Sequence, residues 1–213
     1  MPPRDPSEKT KREIINVAGR LFDERGWDKV KIEDIVAEVG VTRGAFYHYF
    51  KSREELIYTV YIKSLEDANL YELAMSQKNS NGLEKLRFVL KHSLRGQLKF
   101  ATQGNALGMM YHPVVLKSNI FSSMAILAPT IEKLLIEGNK DGSTNVEFPK
   151  HMPYALIVIC NEWLNPEIFK MSEQEFKERL KFISLFGEKM GVQVLDDELY
   201  EMVMELFNLC REK

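Results

Sequence analysis

The chain has 213 residues, of which 45% are hydrophobic and 28% are charged, and its formal net charge is −2. This composition is typical of a folded globular protein with one large domain, or with a small domain joined to a larger one. A net charge so close to zero excludes a general attraction to nucleic acid or to an anionic membrane. The charge is uneven along the chain, however, because residues 1–53 carry a net charge of +2 and residues 54–213 carry −4.

The cysteine content and the lack of long apolar runs indicate the cellular compartment in which the protein is found. Cys160 and Cys210 are the only cysteines and lie far apart in the sequence, so we expect no disulfide framework and favour a reducing compartment. The N-terminal stretch MPPRDPSEKTKRE lacks the apolar core of a signal peptide. No later run reaches the roughly 18 consecutive apolar residues that a membrane span needs. We therefore expect a cytoplasmic protein without a membrane partner.

The spacing of apolar residues predicts an all-α protein. A Thr-x-x-Glu capping box at Thr10 predicts the start of the first helix, and Gly26 predicts its end. The segment IEDIVAEV, residues 32–39, predicts a short second helix that ends at Gly40. A third short helix is predicted over residues 43–50.

Further capping boxes and turns divide the rest of the chain. Ser52 begins a Ser-x-x-Glu box that predicts a fourth helix, continuing to about Leu73. The polar segment SQKNSNG, residues 76–82, predicts a break, and helices are predicted on either side of the turn EGNKDGSTN. Later helices are predicted over residues 154–160 and 173–190, and one more is predicted after residue 190. The helix over residues 154–160 is apolar on every side, and a helix of that kind must be covered all round.

The residue patterns that enzymes and metal sites require are missing from the sequence. The four histidines have no ligand spacing, and neither cysteine has a CxxC partner. There is no Gly-x-Ser-x-Gly motif, no P-loop and no Gly-x-Gly-x-x-Gly that opens a helix. We therefore predict no catalytic residue, no metal site, no cofactor and no enzymatic activity, with a site assembled from distant residues as the alternative.

Two short helices joined by a Gly-containing turn over residues 32–50 have the arrangement of a helix-turn-helix. In that motif the second helix enters the major groove of DNA. At 100° per residue, Phe46 and Phe50 fall on the side that faces the core. The opposite side carries small or polar residues, with a tyrosine at each border, and these are Gly44, Ala45, His48, Tyr47 and Tyr49. Small residues allow a helix to lie close against a base-pair edge.

The run GWDKVKIEDIVAEVGVTRGAFYHYFKSREEL, residues 26–56, resembles the DNA-binding domain of the TetR family of bacterial transcriptional regulators. The family pattern is roughly Gly-Val-[Ser/Thr]-x-Gly-x-aromatic-Tyr followed by Phe-x-Ser-basic-Glu. The resemblance covers about the first 65 residues, and the rest of the chain is similar only in length and helical content. It implies a DNA-binding domain over residues 1–68 and a helical effector-binding and dimerisation domain over residues 69–213.

The resemblance also implies a homodimer that binds operator DNA and releases it when a small molecule binds the larger domain. It implies that Thr42, Arg43, Gly44 and Ala45 approach bases. It implies that Tyr47, His48, Tyr49, Lys51 and Arg53 contact the DNA backbone. Arg43 is the candidate for base readout, because its fork can donate to guanine O6 and N7, although a phosphate contact or a solvated role is the alternative. Where the family usually has a hydroxyl residue before the second helix, Lys31 offers a cation for a phosphate.

The larger domain offers candidates for a dimer interface and for an effector site. The helices at 154–160 and 173–190 either pair with their copies in a symmetric dimer or bury all their faces within one chain. Aromatic and thioether side chains suit an adaptable apolar pocket, although such residues are also ordinary core. The residues predicted to bind an apolar or aromatic ligand are Phe88, Met109, Met110, Tyr111, His112, Phe121, Met124 and Trp163.

Two other functions remain open at the level of sequence. The first is a DNA-binding protein with the same fold that binds no small-molecule ligand. Such a protein has an architectural role or is regulated by a protein partner. The second is a helical enzyme or lipid carrier in which the N-terminal region is only structural. The sequence does not identify the operator, the effector or the regulated genes.

Overall fold

The computed structural model describes residues 6–101, 119–166 and 168–211, and the regular elements in these ranges are all helices. This confirms the predicted all-α class. The helices are α1 (Pro6–Arg25), α2 (Ile32–Val39), α3 (Arg43–Tyr49), α4 (Arg53–Asp67), α5 (Leu70–Met75), α6 (Gly82–Ala101), α7 (Asn119–Asp141), α8 (Met152–Val158), α9 (Glu173–Lys189) and α10 (Asp197–Arg211). A π-helical turn, Ser123–Leu127, interrupts α7, and another, Ile159–Trp163, continues α8.

The N-terminal helices pack around a small apolar core. Ile14 and Leu21 of α1, Ile35 of α2 and Phe46 of α3 are all 0% exposed, and Phe50 is 1% exposed. Burial of such side chains stabilises the fold by about 1.5–3 kcal/mol each. The predicted inward orientation of Phe46 and Phe50 is therefore confirmed.

Two of the predicted helix ends are confirmed, and one predicted start is wrong. Gly26 and Gly40 follow α1 and α2 with positive φ angles of 82° and 77°, the left-handed conformation that glycine adopts without strain. The first helix begins at Pro6 rather than Thr10. Proline has a φ angle suited to the first helical turn, and no glycine or second proline separates Pro6 from Thr10.

The fourth helix also ends earlier than predicted. The Ser52 Oγ accepts the backbone N–H of Glu55 at 3.1 Å, as a capping box requires. However, α4 ends at Asp67, and the chain turns at Asn69, whose φ angle is 41°. The Asn69 side chain then caps α5 by accepting the N–H of Glu72. Asparagine adopts left-handed conformations more readily than other non-glycine residues, which explains a break inside an otherwise helical pattern.

The C-terminal helices form a second core in which α6 packs against α5, α7 and α10. Leu86 and Val89 of α6 and Leu134 and Leu135 of α7 are buried there. The 23-residue helix α7 has a mean hydropathy of 1.3 and is long and apolar enough to cross a membrane by length and composition. Its buried contacts with α6 are those of a core helix in a folded domain, so the length and composition of α7 are weak evidence for a span.

The helix predicted to be covered on every side is only partly covered within one chain. Tyr154 and Val158 of α8 are 37% and 43% exposed. On the neighbouring helix α9, Phe182 and Leu185 are 55% and 48% exposed. Trp163 and Phe182 meet edge to face with ring centroids 5.5 Å apart, so the two helices form one partly apolar surface.

Candidate nucleic-acid interface

The third helix is capped by a residue that was predicted to approach DNA. Thr42 precedes α3, and its Oγ1 accepts the backbone N–H of Ala45 at 3.1 Å. A threonine cap of this kind stabilises a helix end by about 1 kcal/mol. Thr42 therefore fixes where α3 begins, and its hydroxyl hydrogen remains available to an external acceptor.

Four residues of α3 point to solvent on the side opposite the core. Arg43, Gly44, Tyr47 and His48 are exposed, whereas Ala45 is half-buried. The buried Phe46 ring stabilises this orientation through two aromatic contacts. Its centroid lies 5.4 Å from that of Tyr47, edge to face, and 5.6 Å from that of Phe50. The predicted division of α3 into an inner and an outer side is confirmed.

Gly44 is not required by the fold. Its φ angle is not positive, and a Cβ built on it meets only the Thr42 Oγ1, at the ordinary contact distance of 3.8 Å. Glycine within a helix costs roughly 0.5–1 kcal/mol relative to alanine. The isolated chain would therefore be more stable with alanine here, so the fold itself does not explain the glycine.

The two border tyrosines differ in their surroundings. Tyr47 is 44% exposed, and its hydroxyl can reach outward while its ring rests on Phe46. Tyr49 packs against the N-terminal core and against His48, with ring centroids 5.2 Å apart. The ring of each tyrosine is thus held by the protein, an arrangement that suits a phenol that hydrogen-bonds a phosphate oxygen.

Arg43 is held from two directions by other residues of the motif. Its Nη1 forms an ion pair with Glu33 Oε1 of α2 at 2.9 Å. Its guanidinium carbon lies 5.8 Å from the centre of the Tyr47 ring. The Tyr47 hydroxyl and the Glu33 carboxylate together raise the pKa of Arg43 above its ordinary value. The side chain of Arg43 therefore stands at the outer surface in a constrained position.

Lysines flank the motif on both sides. Lys31 and Lys51 are exposed, and the backbone N–H of each is satisfied by a carboxylate, that of Asp34 at 2.8 Å and that of Glu55 at 2.7 Å. Asp34 thus supplies part of the capping that a hydroxyl before α2 would give. Lys11 of α1 lies over the Phe50 ring at 5.6 Å, which places a further cation beside the end of α3.

Arg53, a predicted phosphate contact, also contacts the backbone of its own domain. Its Nε and Nη2 donate to the Val30 carbonyl at 3.1 and 3.0 Å, and Nη2 also donates to the Trp27 carbonyl. These bonds tie the start of α4 to the segment between α1 and α2. Hydrogen bonds from a charged donor contribute about 1.5–3 kcal/mol each, so Arg53 stabilises the domain through these contacts.

The predicted ligand-binding residues are not gathered into one site by the part of the chain that the structure describes. Phe88 stacks on His92 within α6, with ring centroids 6.3 Å apart, whereas Phe121 is 62% exposed. Met124 lies in the π-helical turn of α7, and Trp163 borders α9. Met109, Met110, Tyr111 and His112 lie outside the described residues.

A groove lies instead between α8 and α9. Its volume is about 580 Å³, and it is lined by Ile159, Trp163, Glu175, Glu178, Arg179 and Phe182. Arg179 lies over the Trp163 ring at 5.1 Å and donates to the Trp163 carbonyl at 2.6 Å. Of the four predicted ligand residues that the structure describes, Trp163 alone borders this groove.

Together, the fold and the outer surface of α3 define a helix-turn-helix DNA-binding protein. The family model for bacterial regulatory proteins of the tetR family matches residues 14–59. Residues 14–59 therefore form a DNA-binding domain of the kind found in the tetR family of bacterial regulatory proteins.

Individual relatives agree with this assignment but match only part of their length. The Transposon Tn10 TetC protein of Escherichia coli is 33% identical over 85 residues, which are 40% of this chain and 43% of that protein. The HTH-type transcriptional regulator AcrR of Shigella flexneri is 26% identical over 134 residues, 62% of this chain and 60% of that protein. The chain thus spans about half the length of these curated relatives.

Solved structures share the fold over most of the chain. The transcriptional repressor QsdR from R. erythropolis is 23% identical, with a TM-score of 0.57 over 84% of this chain and 95% of that one. RolR in complex with the ligand resorcinol is 21% identical, with a TM-score of 0.54 over 92% of this chain and 94% of that one. At these identities the likeness shows the arrangement of helices alone.

The open space at Gly44 leads to a prediction about stability and DNA binding. Gly44→Ala is expected to raise the free energy of unfolding by about 0.5 kcal/mol, because alanine favours the helix. It is also expected to weaken DNA binding by crowding the outer surface. Chemical denaturation and fluorescence anisotropy measure the two effects.

Gly96→Ala is the matched control, because Gly96 lies within α6 and a Cβ there meets nothing within 4 Å. The control should gain stability and keep its affinity for DNA. If Gly44→Ala also keeps full affinity, no external surface approaches α3 closely.

The contacts of Arg53 predict a loss of stability without a loss of charge. Arg53→Lys keeps the positive charge but removes the fork that bonds both carbonyls, so we expect the free energy of unfolding to fall by about 1–2 kcal/mol. Lys51→Ala, at an exposed position, should leave stability unchanged. An Arg53→Lys variant with wild-type stability would show that the carbonyl contacts of Arg53 do not stabilise the domain.

Proposed function

We propose that the chain is a cytoplasmic transcriptional repressor that binds a palindromic operator as a homodimer and releases it when a small molecule binds the C-terminal domain. The observation that carries the DNA-binding part is the outer side of α3, where Gly44 leaves space that the fold itself does not use. The proposed base-approaching residues are Thr42, Arg43, Gly44 and Ala45. Tyr47, His48, Tyr49, Lys51, Arg53 and Lys31 are the proposed backbone contacts, and Arg53 also donates to a carbonyl of its own domain.

A second copy of the chain is the proposed occupant of the apolar surface formed by α8 and α9. The side chains Tyr154, Val158, Phe182 and Leu185 are between 37% and 55% exposed in one chain. A contiguous exposed apolar surface is typical of an interaction site. A symmetric dimer through this surface would present two copies of α3, as a palindromic operator requires.

A buried carboxylate oxygen supports an effector with a hydrogen-bond donor on an otherwise apolar body. Glu162 Oε1 is buried without a hydrogen-bond partner. Ser122 of α7 lies beside Tyr58, and the Asn119 Nδ2 donates to the Asn161 Oδ1 at 3.3 Å. Burying a polar group without a partner costs about 1–3 kcal/mol, and a bound donor would recover that cost at Glu162.

The contact between Tyr58 and Ser122 of α7 offers a route from an effector to the DNA-binding domain. Tyr58 lies on α4, and Leu56, two residues earlier, is 0% exposed within the N-terminal core. A ligand that changes the position of Tyr58 relative to α7 would therefore shift α4 and, through Leu56, the helices that carry the outer surface of α3.

A DNA-binding protein without a small-molecule ligand is the second candidate, and it shares the features of α3. The two are separated by selecting operator sequences from random duplex DNA and then screening compounds for release of the selected DNA. The proposed function predicts a palindrome with half-sites about one helical turn apart and at least one class of releasing compound. A palindrome that no compound releases would favour the second candidate.

The apolar surface of α8 and α9 predicts the effect of a charged substitution. Phe182→Glu is expected to place a charge in the dimer interface and to produce monomers in sedimentation velocity. Operator affinity should fall by roughly 100-fold, because a monomer loses the gain from binding two half-sites together.

Phe148→Glu is the control, since Phe148 is 53% exposed, nearly as much as Phe182 at 55%, but lies before α8. It should remain dimeric and bind normally. If the Phe182→Glu variant remains dimeric, the dimer interface lies on another surface of the chain.

The unpartnered oxygen of Glu162 predicts a gain in stability. Glu162→Met removes a buried acceptor at similar side-chain length, so the free energy of unfolding should rise by about 1 kcal/mol, while the response to an effector should be lost. Glu205→Met, at an exposed position of α10, should change neither. A less stable Glu162→Met would mean that the carboxylate is already satisfied in the folded chain.

A further inference from the structure

An acidic residue contacts the side chain best suited to base readout. Glu33 lies in the first turn of α2, and Arg43 is the first residue of α3. Their 2.9 Å ion pair crosses the turn of the helix-turn-helix.

The ion pair has little to contribute to the stability of the fold. The side chains of Arg43 and Glu33 are 62% and 57% exposed, and ion pairs this exposed are screened by solvent and contribute little. The two helices are already joined by the buried side chains Ile35 and Phe46 and by the Gly40 turn. A carboxylate beside a DNA-binding surface also repels phosphate, so the contact requires another explanation.

The geometry leaves part of the guanidinium to an incoming acceptor. An arginine presents five N–H donors in a planar fork. Glu33 contacts Nη1, and Tyr47 contacts the guanidinium group through both its ring and its hydroxyl. Two contacts from different directions restrict the rotation of a long side chain that would otherwise sample many rotamers. The N–H groups of the fork that Glu33 and Tyr47 do not engage remain to donate to the paired acceptors O6 and N7 of a guanine.

We propose that Glu33 is a positioning residue for specificity: its carboxylate holds Arg43 in the orientation that reads a guanine edge and withholds it from phosphates. This inference rests on the proposed function. Without Glu33, Arg43 is free to turn toward a nearby phosphate, which is present in every sequence. Affinity for random DNA should then rise while affinity for the operator falls.

The test is a double-mutant cycle on two DNA duplexes. The wild type, Glu33→Gln, Arg43→Ala and the double variant are titrated against the selected operator and against random DNA at several salt concentrations. Glu33→Gln is expected to lower the ratio of operator to random affinity by about tenfold. Its salt dependence on random DNA should steepen by roughly one phosphate contact. In the Arg43→Ala background, Glu33→Gln should have no further effect on the ratio.

The control and the contrary outcomes separate positioning from simple charge repulsion. Glu38→Gln removes the same charge from the same helix, but the Glu38 carboxylate pairs with Arg20 of α1, so the ratio should not change. Equal gains on both duplexes, or an effect of Glu33→Gln that persists without Arg43, would overturn the inference and leave the proposed function intact. A wild type that does not distinguish the operator from random DNA would overturn both.

Discussion

The burial of two aromatic rings beneath one short helix is the constraint on which the DNA-binding surface depends. Phe46 and Phe50 are 0% and 1% exposed, and they lock the rotation of α3 against α1 and α2. A seven-residue helix has little stability of its own, since isolated helices shorter than about 12 residues are marginal in water. The packing of these two rings therefore determines that Gly44 and His48 face outward.

The same constraint explains how a distant event can alter DNA binding. The N-terminal core includes Leu56 at the start of α4, and the following turn of α4 carries Tyr58 beside α7. Burial raises the pKa of Tyr58 and raises that of Tyr61 to about 12, so neither phenol ionises near neutral pH. A change in this region is thus expected to act through hydrogen bonding and packing rather than through charge.

Local features of the sequence were sufficient to predict much of the N-terminal domain. Gly26 and Gly40 mark helix ends because only a residue without Cβ adopts positive φ freely, and the inner side of α3 follows from helical periodicity. The role of Arg53 was not predictable in this way, because its partners Trp27 and Val30 lie 26 and 23 residues away in the chain. The start of α1 was missed because a capping pattern at Thr10 also fits inside a continuing helix.

Tertiary arrangement explains the remaining differences in the larger domain. Composition identified aromatic and thioether residues suited to a pocket, but only their positions in space show that Phe88 packs against the core and that Phe121 lies on the surface. Glu162 was not predicted because a single glutamate in a helical segment gives no signal of burial. The exposed apolar side chains of α9, by contrast, are consistent with the predicted dimer surface, which stays a prediction.

The central claim is that the outer side of α3 lies against the major groove in each half of a palindromic operator. It is tested most directly by tethering an iron chelate to a single cysteine introduced as His48→Cys, after Cys160 and Cys210 are replaced by alanine. The account predicts DNA cleavage in two symmetric clusters, one per half-site, about one helical turn apart. No cleavage above that from the same chelate at Glu205→Cys on α10 would contradict it.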